Sequence, residues 1–344
     1  MDVNLENKKI GDGHPCYFIA EIGNSFKNFQ QAKLLIDLAK EAGVDAVKFQ
    51  TFEAETVTTK SNMFDMEVTG KISQYEFLKK LQISKELQRE IVNYAKKINM
   101  TIFSAPSHIK DLDVLNELDL PAYKIGSDLA CHIPLLKKIA KFQKPIILST
   151  GMCTFNEVEK SGQAILNSGN KKIILLHCIS NYPANLEEAN LNAILEMKKK
   201  FDIPVGYSDH VIGSIASIPA ATLGANVIER HFHDSKNGEF PDDIHALDVN
   251  QFKELIQMVK KIELARGTGI KKPTNSEKQN LLKNRVSIIA MEDIKSGDVV
   301  TEEKIDIRRP GNGIQPAYFE QILGKKAKKH MSKDNPIQWD MIEQ

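Results

Sequence analysis

The chain has 344 residues, 42% hydrophobic and 26% charged, with a formal net charge of +1. That length accommodates one large domain and a small one, with enough apolar material for a sizeable core. The balanced charge excludes a global basic field for nucleic acid. The longest apolar run, around Ile215–Ile228, is interrupted by Pro219 and Gly224 and is too short to span a membrane.

The first residues, "MDVNLENKK", are polar and lack the apolar centre of a secretory signal. Cys16, Cys131, Cys153 and Cys178 form no C-x-x-C pair, and their spacings match neither a disulfide framework nor a zinc site. They are read as reduced thiols, which predicts a cytoplasmic location.

Eight short apolar runs then follow in order. They are Cys16–Gly23, Asp45–Thr51, Thr101–Pro106, Ala122–Ser127, Pro145–Thr150, Ile173–Cys178, Pro204–Asp209 and Asn226–Phe232. Most are rich in Val, Ile and Leu, as parallel strands covered on both faces are. Between them lie amphipathic stretches such as Phe29–Gly43, with apolar residues at helical spacing and a closing glycine. Strand and helix in alternation predict a parallel sheet, and eight repeats predict a closed (β/α)8 TIM barrel over residues 1–265. The longest gap, between the second and third strands, predicts an insertion over the barrel mouth. Residues 266–283 are polar and glycine-containing and read as a linker. Residues 284–344 hold short strands split by turn signals: a small, mostly β module, of a size that usually leans on a partner surface.

In such barrels the chemistry sits at the C-terminal strand ends. Here those ends carry Glu21, Lys48, Gln50, Ser104, Lys124, Ser127, Ser149, Thr150, Ser180, Tyr182, Ser208, Asp209, His210, Glu229 and His231. Singly, a strand-end serine reads as a turn residue, a lysine as snorkelling outward, and a histidine as core. Jointly, two lysines and several hydroxyls at equivalent positions form a cationic, donor-rich floor suited to phosphate or carboxylate. His210 and His231, on adjacent strands, can share one metal ion with water and substrate. Glu21 is a candidate general base. His177 reads as core, His245 as a loop residue, and His233 as a loop residue near the metal pair. The run Gly324–His330 reads as a solvated face, and Trp339 as packing within the small module.

The phrases "FIAEIG", "AGVDAVKFQT", "AYKIGS", "KPIILSTGM", "LLHCISNYP", "GYSDH", "LGANVIERHF" and "IRRPGNG", in that order over nearly the whole chain, resemble the sialic acid synthase family. The resemblance implies a TIM barrel followed by an antifreeze-like (SAF) domain of β-clip type. It implies condensation of phosphoenolpyruvate with an N-acylated amino hexose such as N-acetylmannosamine, giving a nonulosonic acid such as N-acetylneuraminate. It implies a divalent metal, Mn2+ or Mg2+, and a homodimer in which the small domain of one chain covers the barrel mouth of the other. Lys48, Lys124, Ser127, Ser149, Ser180 and Ser208 then correspond to the phosphoenolpyruvate cradle, and His210 and His231 to the metal ligands. Glu21 corresponds to the catalytic acid/base, with His231 beside it. Gln50, Tyr182 and Asp242 correspond to sugar contacts, and Arg309 to an arginine reaching the partner's site.

The chain departs from the family at Phe26, where histidine is common, and at Ala105, where a threonine contacts phosphate. It departs also at Phe240, in place of glycine, while Thr69 falls near a sugar-contacting asparagine. Loss of one hydroxyl at Ala105 implies a penalty of about 1 kcal/mol, or a compensating contact from Ser107. Legionaminate and pseudaminate synthases, acting on a 2,4-diacetamido-6-deoxyhexose, are the alternative reading. Another phosphoenolpyruvate-dependent aldol synthase is disfavoured by the SAF tail. A catalytically silent sugar-binding protein is disfavoured by Glu21, Lys48, Lys124, His210 and His231.

Overall fold

The eight apolar runs are strands: β1 (Tyr17–Gly23), β2 (Ala46–Thr51), β3 (Thr101–Pro106), β4 (Tyr123–Ile125), β5 (Ile146–Ser149), β6 (Ile173–Cys178), β7 (Val205–Asp209) and β8 (Val227–His231). In the computed structural model, which describes residues 1–66, 70–234 and 240–343, they close in sequential order into one parallel barrel, β8 pairing with β1. Helices cover the outside, so the strands are buried on both faces and their apolar runs are nearly continuous.

The helices follow their sequence signals. Phe29–Ala42 buries Ala32, Leu35, Ile36 and Ala39, one stripe at i, i+3, i+4 and i+7. Asn28 caps its start, accepting the Gln31 N–H at 3.0 Å, and Gly43 ends it at φ 86°. Phe155–Asn167 and Val249–Arg266 begin in capping boxes, Thr154 with Glu157 and Asp248 with Gln251.

Two features go beyond the sequence reading. Val3–Leu5 and Lys8–Ile10 form an antiparallel hairpin whose Val3, Leu5 and Ile10 join the barrel core. Glu6 bonds Thr101 and Lys8 bonds Asp45, so the hairpin meets the chain where strands start. The insertion between β2 and β3 is a short helix (Ala54–Val57), a hairpin (Met63–Met66 with Gly70–Ser73) and a helix (Gln74–Leu81). Phe64 and Phe77 meet edge to face at 5.5 Å. Thr69 lies outside the described residues.

The chain divides into two compact units, Met1–Gly267 and Thr268–Gln344. In the second, Ser287–Ala290 pairs antiparallel with Ile305–Arg308. It has its own core of eleven buried residues among those described, from Ile288 to Ile342. The segment read as linker carries one short helix, Lys278–Lys283. Trp339 packs edge-on against Tyr318 at 5.3 Å but stays half exposed. Among the described residues no helix is long and apolar enough to cross a membrane.

Candidate functional site

Register brings the polar strand ends together. His231 is paired in register with Glu21, and Glu21 with Lys48. Ser208 is paired with both Cys178 and Glu229. Residues in register share a face of the sheet, so Glu21, Lys48 and His231 enter the barrel side by side. A bulge between Glu21 and Gly23 interrupts the β1–β2 ladder. Gly23 takes φ 52°, a left-handed backbone that glycine adopts without strain.

The barrel mouth opens into a cavity of about 510 Å³. Lys48, Gln50, Lys124, Ser127, Ser149, Ser180, Tyr182, Ser208, His210, His231 and Asp242 all line it. Glu21 is buried beneath, with its Oε1 accepting from Gln50 Nε2 at 2.9 Å and its Oε2 2.9 Å from Lys48 Nζ. Arg309 belongs to the second unit and is exposed on it. Ser104 turns the other way, bonding Thr51 at 2.7 Å. Asp209 pairs with buried Arg230 at 2.7 Å, outside the chemistry.

The floor is charge-balanced rather than cationic, because Glu229 stands between the lysines. Its Oε1 lies 3.6 Å from Lys48 and 3.5 Å from Lys124, and accepts from Ser208 Oγ at 2.9 Å. Burial pushes the Glu229 carboxyl up, but Lys124 and Lys48 overcome it and hold the group well below the usual carboxylate range. Burial pulls Lys48 down to about 8, against the attraction of Glu229. Lys124 also donates to Ser149 Oγ at 2.7 Å. The Gly151 N–H donates to Ser127 Oγ at 2.9 Å. A Cβ at Gly151 would lie 2.3 Å from Ser180 Oγ and 2.9 Å from Ser127 Oγ, so only glycine allows both hydroxyls to converge.

A nitrogen- and oxygen-rich group stands beside this floor. His231, Asp242 and His245 each offer a ligand atom, all within 4.8 Å of one another. His231 Nδ1 is 3.3 Å from Asp242 Oδ2. The His210 ring lies 5.4 Å from that of His231 and 5.9 Å from that of His245, with Tyr182 4.2 Å from His210. His210 Nδ1 is engaged by the Ile179 carbonyl at 2.7 Å, which leaves Nε2 as its available ligand atom. Burial, then the neighbouring His231, draws His210 down to about 3 and His245 to about 2, so both rings keep a free lone pair at neutral pH. Both ring nitrogens of His245 are buried without a hydrogen-bond partner. A buried polar ring left so is costly, and a cation would satisfy it. This donor set fits a divalent metal.

The sequence reading missed two of these residues. Glu229 was seen at a strand end without its role, which barrel closure creates. His245, read as a loop residue, is buried within the metal-suited group, while Asp242, expected on the sugar, belongs to that group too. His177 is the core residue expected, bonded to the Ala189 carbonyl at 2.9 Å. His233 faces Asp234 and Asp243 instead of the cavity. Phe26 is buried, and Ala105 and Ser107 both line the cavity. Phe240 sits against His233 at 5.5 Å.

The profile of the NeuB family matches residues 35–271, and that of the SAF domain residues 285–343. An N,N'-diacetyllegionaminic acid synthase of Campylobacter jejuni is 40% identical over 93% of this chain and 98% of its own. The N-acetylneuraminate-9-phosphate synthase of Homo sapiens is 30% identical over 100% and 98%. The crystal structure of a sialic acid synthetase from Leptospira borgpetersenii superposes with a TM-score of 0.74 at 28% identity, covering 82% of this chain and 95% of that one.

Proposed function

Because the chain belongs to the NeuB family, we propose that it is a nonulosonic acid synthase joining phosphoenolpyruvate to an N-acylated amino hexose. The observation that carries this reading is one cavity holding Lys48, Lys124 and four serine hydroxyls beside Glu21 and the histidine–aspartate group. Lys48, Lys124, Ser127, Ser149, Ser180 and Ser208 hold the anionic groups of phosphoenolpyruvate. The sugar, in open-chain form, rests against Gln50, Tyr182 and Asp242.

The enol carbon forms a bond to the sugar's aldehyde carbon, and the aldehyde oxygen takes up a proton. Water adds at C2 of the former enol, and phosphate leaves by C–O cleavage. Glu21, fixed by Gln50 and Lys48, moves the protons. Holding both substrates in one cavity is itself worth several kcal/mol of barrier. A divalent cation, Mn2+ or Mg2+, held by His231 with Asp242, His245 and His210 around it would supply Lewis-acid polarisation of the aldehyde. The working unit is a homodimer in the cytoplasm, with Arg309 of one chain serving the barrel of the other.

N-acetylmannosamine is the reference sugar, and one observation favours a second. The cavity has an apolar wall of Phe52, Val57, Phe64, Phe77, Leu78 and Leu81. Sugar hydroxyls against such a wall lose hydrogen bonds, at about 1–3 kcal/mol each when left unsatisfied. A 2,4-diacetamido-6-deoxyhexose presents methyl groups there instead, in line with the legionaminic acid synthase relatives. Among the described lining residues the lysines are Lys48 and Lys124, both committed to phosphoenolpyruvate, which disfavours a 6-phosphorylated sugar.

The test is incubation with phosphoenolpyruvate, Mn2+ and a panel containing N-acetylmannosamine, its 6-phosphate and 2,4-diacetamido-6-deoxyhexoses. Sugar-dependent phosphate release, with product mass equal to both substrates plus water minus phosphate, is expected. No sugar-dependent release with any member would overturn the reading.

A further inference from the structure

The cysteines that the sequence spacing left unpaired are not all isolated. Cys131 Sγ and Cys153 Sγ are 3.9 Å apart, 22 residues distant in the chain. Cys16 and Cys178 are buried, whereas Cys131 is exposed and Cys153 half-buried. We propose that Cys131 and Cys153 are a reversible thiol–disulfide modification site, oxidised by a peroxide, whose state is read by the phosphoenolpyruvate cradle. The second half of this inference rests on the synthase reading above.

The argument is positional. Cys131 follows β4, four residues after Ser127, and Cys153 follows β5, two residues after Gly151. The inner ends of these loops are joined by the Gly151 N–H to Ser127 Oγ bond of 2.9 Å. Their outer ends are fixed to helices. His132 caps Ile133–Ala140 and Thr154 caps Phe155–Asn167, while on the Ser127 side of Cys131 the Ala130 carbonyl accepts from Ser161 Oγ at 2.7 Å. Closing the sulfurs to about 2.05 Å requires a movement of about 2 Å. Cys131 and Cys153 lie four and two residues from Ser127 and Gly151, so the part of that approach not absorbed by side-chain rotation bears on the cradle.

The chemistry balances as a two-electron oxidation. The Cys131 thiolate attacks one peroxide oxygen, the O–O bond breaks, and a sulfenic acid and water form. Cys153 sulfur attacks the sulfenic sulfur, the S–S bond forms, and the second oxygen leaves as water. Cys131 is exposed and Cys153 half-buried, which makes Cys131 the first nucleophile, and burial pushes the Cys153 thiol up. A dithiol reverses the step by exchange.

The experiment treats the full-length protein with hydrogen peroxide, maps peptides by mass, and measures phosphoenolpyruvate affinity by calorimetry. Expected are a Cys131–Cys153 linked peptide, two hydrogens lighter than the reduced pair, and an affinity weakened about three- to tenfold, as loss of one cradle hydrogen bond would give. Dithiothreitol should restore the affinity, and Cys131→Ser should show neither change. Absence of the linked peptide, or a linked peptide with unaltered affinity, overturns the proposal. Reduced protein that binds no phosphoenolpyruvate would instead fail the synthase reading, and peptide mapping would then decide the disulfide alone.

Discussion

Lys48 stands in a buried strand with Glu21 at 2.9 Å and Glu229 at 3.6 Å. Burial draws it down to about 8, so its charge changes in an accessible range. An anion binds the protonated form, and binding therefore takes up a proton wherever Lys48 is neutral in the free protein. The dissociation constant for phosphoenolpyruvate should be level below pH 8 and rise above it, by up to roughly tenfold per pH unit. Calorimetry from pH 6.5 to 9.5 checks this, with Lys48→Met expected to bind weakly and with a flatter profile. A level wild-type profile would remove Lys48 from the anion site. The metal assignment is testable at the same scale. Loss of outer-shell partners alone costs ten- to a hundredfold in metal affinity, so His231→Ala and His245→Phe should each weaken Mn2+ binding by about tenfold or more. Calorimetry with Mn2+ and bound-metal content read this directly, and unchanged binding in His245→Phe would exclude that ring. Lys48 and Lys124 were legible in the sequence because a charge inside an apolar run stands out in one dimension. Glu229 and His245 were not, since their partners come from barrel closure and from a loop without periodicity.

At the level of elements, the eight strands were legible because strands buried on both faces leave continuous apolar runs of the right length. The N-terminal hairpin was not, as each of its strands has only three residues, too few for a period to emerge. The six-residue helix Lys278–Lys283 has no side-chain cap and is too short for a helical period to emerge. The insertion after β2 was expected from its length alone; the structure adds that its hairpin and helix supply Phe64, Phe77, Leu78 and Leu81 to the cavity wall. If that wall selects methyl-bearing sugars, Phe77→Gln should lower kcat/KM for a 2,4-diacetamido-6-deoxyhexose relative to N-acetylmannosamine by on the order of tenfold, the range one misplaced apolar contact gives. Competition between the two sugars in one reaction measures the ratio directly. An unmoved ratio would assign the wall to packing.

For the molecule as a whole, the second unit has its own buried core, so its presence in the chain asks for a reason beyond its own folding. The proposed reason is Arg309 acting in the partner's barrel. Two inactive variants, Arg309→Ala and Glu21→Ala, then complement one another. In a mixed dimer the Arg309→Ala barrel keeps its own Glu21 and receives an intact arginine from the Glu21→Ala chain. The other barrel lacks both groups. With equal amounts and free exchange, half of the dimers are mixed and each has one working site, so activity should recover to about a quarter of wild type. Mass spectrometry of the intact dimers verifies exchange. Activity that stays at the level of the separate variants after verified exchange would mean that Arg309 serves its own chain or no site at all.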